Sequence, residues 1–162
     1  MTPALQYRTE VLLARCRQQG LRIATAESCT GGLVAGLLTS IAGSSDVVDC
    51  GFVTYSNASK MKMLAVSAET LNAHGAVSRE CAGEMVLGAL SNSEADIAVS
   101  ITGIAGPGGG TETKPVGLVH FACGRKGREP IHREMRLGDI SRDAVRMASV
   151  SIAIELLESQ LV

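Results

Sequence analysis

A hydroxyl side chain stands where an apolar, strand-like run gives way to a segment with helical spacing. The stretch AESCTGG, residues 26–32, occupies this junction. Unpaired backbone N–H groups and the positive end of the helix dipole lie beside such a side chain. Ser28 could therefore act as a nucleophile next to an oxyanion hole made of N–H groups between Cys29 and Gly32. Ser and Thr are also favoured N-caps, so Ser28 or Thr30 could instead only terminate the helix.

A lysine follows in a second polar stretch, YSNASK, residues 55–60. Tyr55 ends a strand-like run, and Lys60 lies just inside the next predicted helix. A lysine near a serine acts as a general base only if burial or neighbouring positive potential lowers its pKa. Tyr55 could orient this lysine or relay a proton. The ordinary alternative is a solvated lysine on a helix surface.

A glycine-rich loop, GIAGPGGGTETKP, follows a strand-like run that ends at Thr102. Its glycines let the backbone approach a ligand closely and expose N–H groups as an anion nest. The loop matches neither a Walker A loop nor a dinucleotide fingerprint, because a strand follows Lys114 and Pro115 where those motifs need a helix. The loop is predicted to form a ligand wall, and a mobile surface loop is the alternative.

Two arginines, Arg142 and Arg146, fall at the start of the last predicted helix. A cation there opposes the helix dipole. Such a residue could instead grip a phosphate group through paired hydrogen bonds. A salt bridge to a carboxylate is the competing explanation.

Composition narrows the class of partner. The net charge is −1, there is no run of like charge, and aromatic residues make up 2% of 162 residues. These features argue against a nucleic-acid or membrane-surface binder, whereas a small anionic molecule needs only one or two local arginines.

Five scattered cysteines without a CxxC pair favour reduced thiols over disulfides or zinc. No cluster of His, Cys and carboxylates predicts a metal site. The N-terminal segment is amphipathic and interrupted by charges, so it resembles neither a signal peptide nor a membrane span. A cytoplasmic protein is expected.

The elements that must position these residues follow from periodicity. Helices are predicted at residues 4–19, 30–41, 56–66, from 67 onward, 78–90 and 141–157, and strands at 21–27, 47–55, 96–102, 116–124 and 129–137. Helices between the early strands imply crossovers, and the short turn between the last two strands implies an antiparallel hairpin. The prediction is a single α/β domain over residues 1–162, a three-layer α/β/α arrangement with a mixed β-sheet.

Taken together, AESCTGG, YSNASK and TGIAGPGGGTETKPVG resemble the CinA C-terminal domain family, in this order and over nearly the whole chain. The chain looks like the stand-alone form of that family. The resemblance implies a nicotinamide-nucleotide amidase, which hydrolyses the carboxamide of nicotinamide mononucleotide to give nicotinate mononucleotide and ammonia. It implies no metal and no organic cofactor, and a homodimer, since family members are often dimeric.

The resemblance also assigns roles: Ser28 as nucleophile, Lys60 as its base and Tyr55 as a supporting hydroxyl. The last helix of the family commonly opens with a Gly-Asp-Arg-like turn, whereas here Arg142 follows Ser141. Either Arg142 or Arg146 is therefore left to grip the phosphate. The predicted substrate-binding set is Cys29, Thr30, Gly31, Gly32, Thr102, Gly103, Gly106, Gly108, Gly109 and Arg142.

Two rival functions remain open. The same pocket could hold a nucleotide or phosphate without turning it over, as a binding module. Alternatively, Cys29 could be the nucleophile, because the pKa of a thiol falls at a helix start.

Overall fold

A five-stranded mixed sheet organises residues 1–161, the part of the chain that the computed structural model describes. Its spatial order is β2-β1-β3-β4-β5. The strands are β1 (Ile23–Glu27), β2 (Val48–Val53), β3 (Ile97–Gly103), β4 (Leu118–Arg125) and β5 (Ile131–Arg136). Strand β1 pairs in parallel with β2 and β3, and β4 pairs antiparallel with β3 and β5. The predicted mixed sheet and hairpin are confirmed.

Among residues 1–161, six α-helices pack around this sheet. They are α1 (Pro3–Gln19), α2 (Leu33–Thr39), α3 (Asn57–Leu64), α4 (Ala68–His74), α5 (Arg79–Ser91) and α6 (Arg142–Ser159). A short 3₁₀ turn at Ser44–Asp46, which the sequence analysis did not predict, precedes β2. Within residues 1–161, no helix combines the length and the apolar character needed to cross a membrane.

The side chains of the sheet divide the core into two unequal layers. Large residues such as Ile23, Ile101 and Phe121 pack with α1, α2 and α6 on one face. On the other face the strands present alanines, among them Ala24 and Ala98, to α3 and α5. Small strand side chains let α5 lie close to the backbone of the sheet, and α3 packs against α5. The three-layer α/β/α prediction is confirmed.

Helix α3 packs directly against α5 at a glycine. A Cβ atom added to Gly88 would lie 1.9 Å from the carbonyl oxygen of Leu64, closer than any real contact. Only glycine therefore allows this approach of the two helices. Because α3 carries Lys60, Gly88 helps to fix the height of that lysine above the sheet.

Candidate active site

The polar motifs meet at one edge of the sheet, where the parallel strands β2, β1 and β3 end. The carboxyl ends of parallel strands are the usual location of ligand sites in α/β folds. A cavity of about 240 Å³ lies there. It is lined by Ser28, Cys29, Tyr55, Asn57, Lys60, Ala76, Val77, Thr102, Gly103, Ala105 and Arg142.

Ser28 and Lys60 form the centre of the cavity. The Nζ atom of Lys60 lies 3.0 Å from the Oγ atom of Ser28 and donates a hydrogen bond of 2.8 Å to the carbonyl oxygen of Thr54. Lys60 is 1% exposed, which excludes the surface lysine considered from the sequence. Burial lowers the pKa of the Lys60 ammonium below its usual value. This is the condition under which a lysine can accept a proton from serine.

A capping box sets the start of α3 and so the position of Lys60. The Ser56 hydroxyl accepts a hydrogen bond from the Ser59 N–H group, and the Ser59 hydroxyl reaches back to the Ser56 backbone. This reciprocal arrangement fixes the first turn of the helix. The polar residues of YSNASK therefore hold the lysine in the first turn of α3.

The side chain of Ser28 takes no part in capping helix α2. The N-cap is Gly32, which offers no side chain, and helix α2 begins at Leu33 rather than at Thr30. The buried carboxylate of Glu27 accepts hydrogen bonds from the N–H groups of Gly32, Val34 and Ala35 at 2.8–3.1 Å. The alternative in which Ser28 or Thr30 merely caps the helix is thus wrong.

Hydrogen bonds within the loop leave fewer of the N–H groups between Cys29 and Gly32 available to an oxyanion. The Gly32 N–H group is used by Glu27, and the Gly31 N–H group donates to the carbonyl oxygen of Ser28 at 3.0 Å. Among residues 1–161, the N–H groups of Cys29 and Thr30 donate to no acceptor in another residue. Of the predicted loop residues Cys29, Thr30, Gly31 and Gly32, only Cys29 lines the cavity.

Tyr55 does not hold the lysine as predicted. Its side chain is 62% exposed, and its hydroxyl accepts a hydrogen bond of 2.9 Å from Arg142. Arg142 also donates to the carbonyl oxygen of Gly106 at 2.8 Å. Lys60 is held instead by the Thr54 carbonyl group, one residue earlier. Tyr55 therefore contributes to the rim of the cavity, where Arg142 connects two loops.

The two arginines have different partners. Arg142 lines the cavity, whereas Arg146 donates to the carbonyl oxygens of Cys29 and Thr30 at 3.1 and 3.2 Å. The Arg146 guanidinium lies 4.0 Å from the carboxylate of Asp143, so the expected salt bridge is only marginal. Of these two arginines, only Arg142 lines the cavity.

The glycine-rich loop contributes only its first part to the cavity. Gly103 lines the cavity, as does Thr102, whose hydroxyl donates to the carbonyl oxygen of Ala76 at 2.8 Å. Gly106 contacts it indirectly, through its carbonyl group and Arg142. Gly108 and Gly109 are exposed and lie outside the lining, contrary to the predicted wall.

Cys29 is a poor candidate for the nucleophile. Its side chain is 6% exposed and belongs to the hydrophobic core. Burial raises the pKa of the Cys29 thiol to about 11, so the expectation that the helix start would lower this pKa is wrong. The Glu27 carboxylate, which neutralises that helix start, adds to the rise.

The contributors that the sequence analysis missed include Glu27, Asn57 and Val77. Glu27 carried a recognisable signal, since an acidic residue ended an otherwise apolar strand just before a helix without a good side-chain cap. Asn57 lies within YSNASK but received no role, and it lines the cavity. Val77, in the α4–α5 connection, had no chemical signal because an apolar wall residue is recognisable only in three dimensions.

Known protein sequences resemble this chain over most of its length. The profile of the CinA C-terminal domain matches residues 6–161. A nicotinamide-nucleotide amidohydrolase, PncC, of Escherichia coli K12 is 52% identical over 145 residues, which cover 89% of this chain and 87% of the relative. The chain spans only 37% of a CinA-like protein of Anaeromyxobacter sp. strain K, to which it is 49% identical over 153 residues, and 29% of a longer relative in Caldicellulosiruptor bescii.

Solved structures share the complete fold. The competence/damage inducible protein CihA of Agrobacterium tumefaciens superposes with a TM-score of 0.96 at 51% identity, covering 98% of this chain and 96% of the other. A CinA superfamily protein of Escherichia coli gives a TM-score of 0.92 at 34% identity, covering 99% and 93%.

Proposed function

The chain belongs to the CinA C-terminal domain family, and on that premise we propose that it hydrolyses nicotinamide mononucleotide to nicotinate mononucleotide and ammonia. The observation that carries this proposal is the buried contact of 3.0 Å between Lys60 Nζ and Ser28 Oγ inside the cavity. The 52% identity to an Escherichia coli nicotinamide-nucleotide amidohydrolase supports the choice of substrate.

Acylation of Ser28 is the first half of the proposed reaction. Neutral Lys60 accepts the hydroxyl proton while Ser28 Oγ forms a bond to the carboxamide carbon, and the C=O electron pair moves onto oxygen. The N–H groups of Cys29 and Thr30 stabilise this oxyanion. When the oxyanion collapses, the C–N bond breaks, and Lys60 returns its proton to the departing nitrogen, which leaves as ammonia.

Hydrolysis of the acyl-enzyme completes the cycle. Lys60, now neutral again, accepts a proton from a water molecule as its oxygen attacks the acyl carbon. Collapse of the second tetrahedral intermediate breaks the bond to Ser28 Oγ, and the proton on Lys60 returns to that oxygen. The sum is one amide and one water converted to one carboxylic acid and one ammonia, with the enzyme unchanged.

The charge of the cavity fits an anionic mononucleotide. Its lining contains Lys60 and Arg142 but no carboxylate among residues 1–161. Arg142 lies at the rim, with one guanidinium nitrogen on Gly106 and another on Tyr55, and a guanidinium can bind a phosphate group bidentately. The amide end of the substrate is then directed toward Ser28.

A direct assay separates this enzyme from the binding module. The purified chain is incubated with nicotinamide mononucleotide, and ammonia and nicotinate mononucleotide are both quantified. Equal amounts of the two products are expected. Saturable binding without either product would leave the nucleotide-binding alternative in place.

A further inference from the structure

The guanidinium group of Arg146 donates hydrogen bonds to two backbone carbonyl groups of the loop that follows Ser28. Its side chain is 26% exposed, and its Nε and Nη2 atoms donate to the carbonyl oxygens of Cys29 and Thr30. The carboxylate of Asp143, 4.0 Å away, belongs to a side chain that is 94% exposed. Solvent therefore screens that ion pair, and the two carbonyl groups are the principal partners of the guanidinium.

Peptide geometry transmits these contacts to the two free N–H groups. In a trans peptide the C=O and the following N–H point in opposite directions. Because Arg146 fixes the Cys29 carbonyl group, it also fixes the direction of the Thr30 N–H group. Both groups belong to the peptide that joins Cys29 to Thr30, and Cys29 lines the cavity.

A second route leads from Arg146 to the Cys29 N–H group. The Thr30 carbonyl group shares a peptide plane with the Gly31 N–H group, which donates to the Ser28 carbonyl oxygen at 3.0 Å. The Ser28 carbonyl group in turn shares a plane with the Cys29 N–H group. Hydrogen bonds in such a chain polarise one another, so a cation at its end strengthens the donor at the other end.

The turn that carries these hydrogen bonds has a glycine, Gly31, at its centre. Its φ of +60° favours glycine, and a Cβ atom added there would lie 3.5 Å from Arg146 Nη2. The tight turn thus folds the loop over the guanidinium, and Glu27 holds the other end of the turn through Gly32.

We propose that Arg146 is a positioning residue that aligns and polarises the Cys29 and Thr30 N–H groups as the oxyanion hole of Ser28. This inference rests on the proposed function for its substrate. It predicts that Arg146 stabilises the transition state without binding the nucleotide.

The test compares R146A and R146K with R133A, in which a half-buried arginine that pairs with Glu155 outside the cavity is removed. For R146A we expect kcat with nicotinamide mononucleotide to fall about 100-fold, with KM nearly unchanged, because a small misplacement of catalytic groups has that effect. R146K should also lose kcat, since a single ammonium lacks the planar fork that spans two carbonyls. R133A should match the wild type.

Added guanidinium ion should restore part of the kcat of R146A, which loss of overall folding would not allow. Circular dichroism checks the fold, and if R146A does not fold, R146K carries the test. A kcat equal to that of the wild type in the folded variant, or a loss confined to KM, would overturn the inference.

Ser28-dependent release of nitrophenol from p-nitrophenyl acetate provides a readout that does not depend on the proposed substrate. Suppose that the wild type releases no ammonia, and that R146A releases nitrophenol more slowly than the wild type while R133A does not. The proposed function then fails and the inference on Arg146 stands. If ammonia is released equally by the wild type and R146A, the proposed function stands and the inference fails. Absence of both reactions in the wild type contradicts both.

Discussion

Lys60 Nζ and Ser28 Oγ lie 3.0 Å apart, although 32 residues separate them in the chain. The serine follows β1 and the lysine lies in the first turn of α3, and both side chains are removed from solvent. The parallel pairing of β1 with β2 produces this contact, because it brings the ends of the two strands to the same edge of the sheet.

The pH dependence of the reaction should follow Lys60. The active form is the neutral amine, so kcat/KM is expected to rise with pH through the Lys60 pKa and then level off. Burial lowers that pKa, and the plateau is therefore reached at a lower pH than an exposed lysine would allow. K60M should lose about 10²- to 10⁴-fold in rate, and with it this dependence on pH. K62M, which removes an exposed lysine two positions away, is the control and should keep the wild-type profile.

Glu27 is expected to stabilise the fold and the nucleophile loop together. Its carboxylate satisfies three N–H groups at the start of α2, and glutamine can accept with only one oxygen. E27Q should lower the free energy of unfolding by about 2–4 kcal/mol, because buried donors then lose their partners. Urea unfolding measures this loss. The control is E112Q, on the exposed part of the glycine-rich loop, which should leave the free energy of unfolding unchanged. If E27Q were as stable as the wild type, the hydrogen bonds of Glu27 to the start of α2 would be dispensable for stability.

Two glycines of α5 provide a matched pair. G88A should destabilise the protein and reduce turnover, because the new methyl group collides with the Leu64 backbone and displaces α3 with Lys60. Nothing lies within 4 Å of a Cβ atom at Gly83, so G83A should stabilise the same helix by about 0.5–1 kcal/mol. Thermal unfolding and ammonia release check both. Similar effects of the two substitutions would contradict the close packing of α3 on α5.

Arg142 should discriminate between a nucleotide and a nucleoside. R142M is expected to lower kcat/KM for nicotinamide mononucleotide about 10- to 100-fold, which corresponds to the loss of charge-assisted hydrogen bonds worth ~1.5–3 kcal/mol. The activity on nicotinamide riboside, which lacks the phosphate, should change much less. R136M removes an arginine that pairs with Glu134 outside the cavity and serves as the control. A parallel loss on both substrates would show that Arg142 does not act on the phosphate.

Local pattern was sufficient for the order of the elements, since hydrophobic period and glycine signals mark them along the chain. The pairing of Ser28 with Lys60 was expected from the family resemblance, and the structure explains it by the parallel pairing of β1 with β2, which the two residues follow in the chain. The partner of Tyr55 was not, because a hydrogen bond to Arg142 joins residues 87 positions apart. The raised pKa of Cys29 likewise depends on burial, which the helix-start pattern does not report. The homodimer suggested by the family resemblance stays a prediction.

The most direct test of the Ser28 mechanism compares two neighbouring residues of the loop. Ammonia release from nicotinamide mononucleotide is measured for the wild type, S28A and C29A, with circular dichroism to verify the fold. S28A is expected to lose essentially all turnover, because among residues 1–161 Ser28 supplies the one hydroxyl group that is hydrogen-bonded to Lys60. C29A is expected to retain most of it, since burial raises the pKa of the Cys29 thiol to about 11 and keeps it protonated. Undiminished ammonia release by S28A, or its loss in C29A alone, would contradict the assignment of Ser28 as the nucleophile.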